Sequence, residues 1–128
     1  MNILFINGPN LNLLGKREPE IYGNESLEQL IAWMTEQINT KENDIHWFQS
    51  NSEGKIIDKL HWALYNKIDG IVINPGAYTH YSVAIRDAIS SIKIPTVEVH
   101  LSDIENREDF RKISVIKDVC LCQITGLG

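Results

Sequence analysis

The chain has 128 residues, close to the commonest size of a single domain, so we expect one domain with one hydrophobic core. Its formal net charge is −5 and it contains no run of basic residues, which argues against nucleic acid or an anionic membrane surface as a partner. Any anionic ligand must therefore be captured locally by a few arginines. No apolar stretch is long enough to span a bilayer and no signal peptide is recognisable, so we expect a cytoplasmic protein.

Strand and helix patterns alternate along the chain. Short apolar runs predict strands over residues 2–6, 45–49, 71–74, 96–99 and 119–125. Apolar residues at helical spacing predict helices over residues 26–39, from residue 52 onward and over residues 82–92, and Ser26 with Gln29 offers a capping box for the first. The alternation predicts an α/β fold, a flavodoxin-like three-layer sandwich with a five-stranded parallel sheet of order 2-1-3-4-5.

Polar clusters follow the first, third and fourth predicted strands, which are neighbours in that order. In open parallel sheets, ligands bind at the carboxyl ends of the strands, where the strand order reverses. The clusters cover residues 7–12, 74–80 and 98–102 and would meet at one crevice. Their neutral donors and acceptors suit a polyhydroxylated ligand; they are Asn10, Asn74, His80 and Ser102.

Two side chains are candidates for acid–base chemistry. Glu98 and His100 are two residues apart at a strand end, so the carboxylate can orient the imidazole and favour its protonation, which makes His100 a candidate general acid. A histidine that only caps the strand is the alternative. Tyr22 is a candidate general base because Arg17, five residues away, favours the phenolate. A surface tyrosine in a turn is the alternative here.

Two arginines are candidates for binding an anion or hydroxyls. Arg107 and Arg111 are four residues apart, so one helical turn would align them. A solvated turn with salt bridges to Glu108 and Asp109 is the alternative. Residues 15–23, rich in glycine and proline, could close over the crevice as a lid.

Several other kinds of site have no support in the sequence. The four histidines lack zinc spacing, no compact set of carboxylates suggests a hard metal, and neither dinucleotide-binding nor P-loop glycine motifs occur. Cys120 and Cys122 lie in the last predicted strand, where we expect buried thiols rather than a redox or metal pair. The chemistry that remains is acid–base catalysis without a metal or cofactor.

These motifs together resemble one enzyme family. Residues 7–15, 17–19 and 22–23 are similar to the first motifs of type II 3-dehydroquinate dehydratases. The family's later motifs follow in order at residues 50–54, 74–80, 82–88 and 98–102. The resemblance extends from residue 2 to residue 128.

The resemblance implies an enzyme that removes water from 3-dehydroquinate to give 3-dehydroshikimate, by anti elimination through an enolate and with no cofactor. Tyr22 would take the C2 proton, Arg17 would keep its phenol acidic, and Asn10 would help to hold a water that stabilises the enolate. His100, oriented by Glu98, would protonate the departing hydroxyl. The resemblance also implies substrate contacts from Asn74, His80, Leu101, Ser102 and Arg111, a lid-ordering role for Arg107, and Asp87 reaching the site from a neighbouring subunit.

Family members form trimers that assemble into dodecamers, and this sequence departs from the family at two places. Residues 112–115 differ from the common pattern, which bears on contacts between subunits. The chain ends at Gly128, where the family usually continues into a helix, so we expect a single catalytic domain of residues 1–128 without that helix. One sheet face near the fifth strand would then be bare, with lower stability or altered assembly.

A second class of function is a flavodoxin-like binding or signalling module without catalysis. A phosphoacceptor receiver needs an aspartate at the end of the third strand, where this chain has Asn74. A flavin module needs a Ser/Thr-rich phosphate loop after the first strand, and this loop is rich in Asn and Leu. A catalytically quiet homologue that binds a small molecule is the alternative that stays open.

Overall fold

One parallel sheet forms the centre of the computed structural model, which describes residues 1–16, 20, 25–38, 41–102 and 107–126. Among these residues the strands are β1 (Asn2–Asn7), β2 (Asp44–Gln49), β3 (Gly70–Asn74), β4 (Thr96–Val99) and β5 (Cys122–Ile124). Their order is β2-β1-β3-β4-β5, and every neighbouring pair is parallel. The predicted fold class and strand order are therefore confirmed.

The three longer helices among the described residues are α1 (Leu27–Gln37), α2 (Glu53–Tyr65) and α3 (Val83–Ile92), and each begins after a serine. The hydroxyls of Ser26, Ser52 and Ser82 accept hydrogen bonds from backbone N–H groups three residues further on. These bonds satisfy donors that the first helical turn leaves unpaired. The Gln29 side chain also accepts from the Ser26 amide at 2.8 Å, which confirms the predicted capping box. No described helix has the length and apolar character needed to cross a membrane.

The two faces of the sheet are covered to different degrees. Strand alternation turns one set of side chains toward α2 and α3, where they form a fully buried core. The sheet contributes Leu4, Ile6, Ile71 and Ile73 to that core. On the opposite face, which α1 covers, Phe5 and Val72 are only half-buried. The densely packed face is the one that positions the site described below.

The last strand is shorter than the sequence predicts. Residues 119–125 read as a strand, but Lys117–Val119 form a 3-10 turn and β5 contains Cys122–Ile124. Cys120 is half-buried and precedes the strand, whereas Cys122 is exposed, so the predicted pair of buried thiols is wrong. Cys122 is paired with Val97 on the less covered face, at the edge of the sheet. Burial raises the pKa of the Cys120 thiol to about 12, which keeps this thiol protonated.

Two loops meet backbone to backbone at the carboxyl ends of β1 and β3. The Gly8 amide donates to the Asn74 carbonyl oxygen at 2.7 Å, and a Cβ on Gly8 would lie 2.6 Å from the Pro75 carbonyl oxygen. Gly76 has a φ of +59°, and a Cβ there would lie 3.1 Å from the Pro9 carbonyl oxygen. Glycine is therefore required at both positions, because side chains would separate the loops.

We predict that Gly8→Ala lowers the free energy of unfolding by about 2 kcal/mol, since the new methyl group must displace the backbone of the loop after β3. Urea unfolding followed by circular dichroism measures this change. Gly54→Ala is the matched control, because a Cβ at this position in α2 would meet only the Ser52 hydroxyl, at 3.8 Å. The control is expected to be neutral or to stabilise by roughly 0.5 kcal/mol. Equal unfolding midpoints for the two variants would contradict the close approach.

Candidate active site

A carboxylate and an imidazole form a buried pair at the end of β4. Glu98 has no exposed surface and His100 is 8% exposed. Because they are two residues apart on an extended chain, both side chains lie on the same side of the sheet. His100 Nε2 lies 2.5 Å from Glu98 Oε2, the distance of a short, charge-assisted hydrogen bond. The other ring nitrogen, Nδ1, is the one that is not bonded to Glu98.

Two hydroxyl groups also hold the Glu98 carboxylate. Thr79 Oγ1 donates to Oε2 at 2.5 Å, and Ser114 Oγ lies 2.9 Å from both carboxylate oxygens. Burial would raise the pKa of Glu98, but the hydrogen bonds from His100, Thr79 and Ser114 outweigh it and hold the pKa below its ordinary value of 4.5. Glu98 is therefore a carboxylate at neutral pH.

A pocket opens beside His100 at the carboxyl ends of β1, β3 and β4. Its floor and walls come from the loops after these strands and from the segment that begins at Arg107. The predicted site residues that line it are Asn10, Asn74, His80, His100, Leu101, Ser102, Arg107 and Arg111. Residues from four separate parts of the chain thus meet around one small, polar space.

His80 presents an acceptor to this pocket. Its Nδ1 lies 2.7 Å from the Ile113 carbonyl oxygen, which can only accept, so Nδ1 carries the proton and Nε2 has the free lone pair in the neutral ring. Burial lowers the pKa of His80, the bond to Ile113 opposes this, and nearby His100 and Arg111 lower it further. At neutral pH the ring is uncharged and suited to accept a hydrogen bond from a ligand hydroxyl.

The two asparagines are fixed by bonds to neighbouring loops. Asn74 is buried, and its Oδ1 accepts from the Gly76 amide at 3.1 Å, which leaves its NH₂ group for a ligand. Asn10 has a φ of +70°, and its amide donates to Asn51 Oδ1 at 3.0 Å. Both side chains belong to loops whose backbones are held in place by bonds within the protein. The side-chain amide of Asn74 is therefore ordered before a ligand binds, and the backbone that carries Asn10 is held in place.

The arginine pair agrees in part with both interpretations from the sequence, a pair that binds an anion and a solvated turn with salt bridges. Arg107 and Arg111 line the pocket, as the binding interpretation predicts. They also flank Glu108, whose Oε2 lies 2.9 Å from Arg111 Nε and 4.0 Å from Arg107 Nε. Arg107 Nη1 further donates to Ser102 Oγ at 3.3 Å. The segment is a short 3-10 turn over Asp109–Arg111 rather than an α-helical turn, and it still brings the two guanidinium groups together.

Four predicted site residues are not among those that line the pocket, and one of them, Glu98, is buried and bonded to His100. Arg17 and Tyr22 lie outside the described residues, as does most of the predicted lid. Asp87 is exposed on α3 and is not among the residues that line the pocket. The described chain therefore supplies the acid side of the predicted site and most of its binding groups.

Comparison with known proteins places the chain in a family. The family model described as dehydroquinase class II matches residues 1–128. The chain belongs to the class II dehydroquinase family. It is 56% identical to the 3-dehydroquinate dehydratase of Caldicellulosiruptor saccharolyticus, over 98% of this chain and 87% of that protein. It is equally identical to the enzyme of Clostridium perfringens, over 100% of this chain and 88% of that protein. The crystal structure of a type II dehydroquinase from Butyrivibrio crossotus matches with a TM-score of 0.97 and 56% identity, over 100% of this chain and 89% of that one.

Membership of the class II dehydroquinases confirms the resemblance and the prediction that the chain is an enzyme. The site geometry adds two residues that sequence reasoning did not single out, Thr79 and Ser114, which bind Glu98. Thr79 immediately precedes His80 within a recognised motif, and Ser114 follows Arg111 by three residues. Proximity to named site residues was their only signal, because a hydroxyl has many uses in a sequence.

We predict that Glu98→Gln lowers the free energy of unfolding by about 2 kcal/mol at pH 7, since hydrogen bonds to a charged group are lost. The folded pKa of Glu98 lies below its ordinary value of 4.5, so its stabilisation is complete above that pH and is lost as the pH falls toward the folded pKa. The parent protein and the variant should therefore converge in stability as the solution is acidified. Urea unfolding at a series of pH values measures the convergence.

Glu36→Gln, at an exposed position of α1, is the control and should follow the parent protein at every pH. Asp118, whose pKa the Arg86 guanidinium lowers, and Glu108, whose pKa is lowered by a bond to its own amide and by Arg111, stay in every protein. The difference between curves thus isolates Glu98. A constant gap between parent and Glu98→Gln at all pH values would mean that folding does not lower the pKa of Glu98.

Proposed function

We propose that this class II dehydroquinase dehydrates 3-dehydroquinate to 3-dehydroshikimate by anti elimination through an enolate. The observation that carries the proposal is the Glu98–His100 pair beside a pocket lined by amides, hydroxyls and two guanidinium groups. Such a pocket suits a substrate that bears a carboxylate and several hydroxyls. The curated relatives with this activity match the chain over nearly its whole length, which supports a single catalytic domain over residues 1–128.

In the acid half of this mechanism, His100 gives a proton to the departing hydroxyl, which leaves as water. Glu98 supports this role because a buried carboxylate stabilises the imidazolium and fixes the ring. A general acid in this position must be replenished after each turnover, and the pocket gives His100 access to solvent water when product has left.

In the base half, Tyr22 takes the C2 proton as phenolate, and Arg17 keeps its phenol acidic. A phenol with the ordinary pKa of about 10 is mostly un-ionised at neutral pH, so it is a poor base unless a nearby cation favours the phenolate. Asn10 helps to hold the water that stabilises the enolate oxygen. This half rests on the family resemblance, because Arg17 and Tyr22 lie outside the described residues.

The remaining pocket residues hold the substrate in the orientation that elimination requires. Asn74 and His80 are fixed by internal bonds and present a donor and an acceptor respectively. We further assign the substrate carboxylate and hydroxyls to these two residues with Leu101, Ser102 and Arg111, a lid-ordering role to Arg107, and Asp87 to a neighbouring subunit's site.

We also propose that the enzyme forms homo-oligomers of trimers that assemble into dodecamers, and that it acts in the cytoplasm. The reaction needs no cofactor in this scheme. A side chain accepts the C2 proton, the electron pair passes into the enolate, and the hydroxyl is protonated and leaves as water. The same step serves aromatic biosynthesis through the shikimate pathway and quinate breakdown, so the proposal covers either route.

The first test adds 3-dehydroquinate to the purified protein in the presence of a chelator and follows the ultraviolet absorbance of the conjugated enone product. We expect turnover, and its persistence with chelator would support the cofactor-free scheme. A folded oligomer that binds 3-dehydroquinate in calorimetry without forming product would overturn catalysis and favour the quiet binding homologue. Absence of both binding and turnover would overturn the substrate assignment.

We predict that Tyr22→Phe lowers kcat by at least about a hundredfold, the usual contribution of a general base, because the phenol oxygen that accepts the C2 proton is removed. Steady-state kinetics gives the change, with circular dichroism to verify the fold. Tyr65→Phe is the matched control, since Tyr65 is 81% exposed at the end of α2, and it should retain the parent kcat. A kcat near that of the parent in Tyr22→Phe would refute the assignment of the base.

A further inference from the structure

The hydroxyl of Ser114 has only one possible direction for its proton. A serine oxygen offers one donor and two acceptor lone pairs. Ser114 Oγ accepts from the amides of Ile116 at 3.3 Å and Lys117 at 3.1 Å, which occupies both lone pairs. Its proton is left for Glu98, 2.9 Å away, because a carboxylate is a stronger acceptor than the Thr79 hydroxyl at 3.0 Å.

The proton of Thr79 is directed in the same way. Ser114 has no free lone pair to receive it, so it goes to Glu98 Oε2 at 2.5 Å. Thr79 has no exposed surface, so solvent offers no competing partner. The backbone supports the arrangement, because the Val115 amide donates to the Thr79 carbonyl oxygen at 2.7 Å. The loop after β3 and the segment after Arg111 are thereby joined beneath the carboxylate.

Each group that contacts the Glu98 carboxylate among the described residues is thus a donor. Oε1 faces the Ser114 hydroxyl, and Oε2 faces the Thr79 hydroxyl and His100 Nε2. A protonated Glu98 would direct its own proton at groups that already direct theirs at the carboxyl, so the site favours the ionised form. With Glu98 ionised, His100 Nε2 must carry a proton, which leaves Nδ1 as the nitrogen that meets the pocket.

We propose that Thr79 and Ser114 are positioning residues for catalysis, whose hydroxyls keep Glu98 ionised and so hold a proton on His100 Nε2, which leaves Nδ1 to take up the second proton and deliver it as the acid. The inference rests on the proposed role of His100 as general acid. Neither hydroxyl contacts the substrate pocket, so both act through Glu98. The two residues come from different loops, and each supplies one of the two hydroxyl donors to Glu98.

The test uses Thr79→Val and Ser114→Ala, which remove one hydroxyl each with little change in volume. Loss of a donor makes the ionised carboxyl less favourable, so the Glu98–His100 pair holds its proton more tightly, and the alkaline limb of the kcat profile, which reports loss of that proton, should move to higher pH by roughly one unit. We expect kcat at neutral pH to fall about tenfold or more, with KM little changed, because substrate contacts remain. Thr79→Ser and Ser114→Thr keep the hydroxyl and should restore the parent profile.

Thr96→Val is the matched control for a lost buried hydroxyl. Thr96 is 1% exposed on β4 and donates to the Ile94 carbonyl oxygen at 2.9 Å, with no bond to Glu98. Its stability cost should resemble that of Thr79→Val, but the alkaline limb of its kcat profile should stay in place. His80 and Cys120 also interact with the charge of Glu98, and both are present in every variant, so they cancel in the comparison.

Nitrogen NMR of the His100 ring provides a readout that does not depend on turnover. We expect the neutral ring to carry its proton on Nε2 in the parent protein, and to populate the Nδ1–H tautomer more in Thr79→Val and Ser114→Ala. A parent enzyme that is active, with variants that lose stability but keep the same alkaline limb and the same His100 tautomer, would overturn the positioning role. An inactive parent protein with the expected tautomer shifts would instead count against the proposed function and leave the hydroxyl assignment standing.

Discussion

The buried charge of Glu98 is the constraint on which the site depends. A carboxylate without exposed surface is costly unless donors surround it, and this one receives two hydroxyls and an imidazole. Its donors come from the loop after β3, the segment after Arg111 and the residue that follows β4. These three parts of the chain must therefore reach their folded positions before the Glu98 carboxylate receives all of its hydrogen bonds. The same contacts that stabilise the folded state also orient His100, so stability and the proposed acid chemistry depend on one set of bonds.

The location of Glu98 on the densely packed face strengthens this coupling. Glu98 is paired with Ile73, whose side chain belongs to the core between the sheet, α2 and α3. Close-packed surroundings restrict side-chain motion and weaken solvent screening, so each hydrogen bond to the carboxylate has more effect than it would at the surface. The opposite face, with Phe5 and Val72 half-buried, offers no comparable environment. Strand alternation thus assigns the dyad to the face that can hold it.

Local patterns were sufficient to predict the sheet but not all of the site. Periodicity and the Ser26 cap specify elements from neighbouring residues, and the strand-order rule then brings Asn10, Asn74 and His100 together. The Thr79–Ser114 contact joins residues 35 apart and leaves no local signature. The last strand was predicted too long because an apolar run at a sheet edge is compatible with a 3-10 turn followed by a short strand. Sequence reasoning therefore did not predict the long-range polar contacts or the bounds of the strand at the edge of the sheet.

In the proposed function, the arginine pair explains how a chain of net charge −5 binds an anionic substrate. Arg107 and Arg111 both lie near Glu108 and both line the pocket. The Glu108 side chain is 60% exposed, where water screens its attraction, whereas the side chains of Arg107 and Arg111 are 16% and 29% exposed. A substrate carboxylate that enters the pocket meets these cations in a less screened setting than Glu108 does. The two arginines would thus capture the substrate carboxylate locally. Acidic groups elsewhere on the surface that lie more than a Debye length away, about 8 Å at physiological salt, need not oppose its binding.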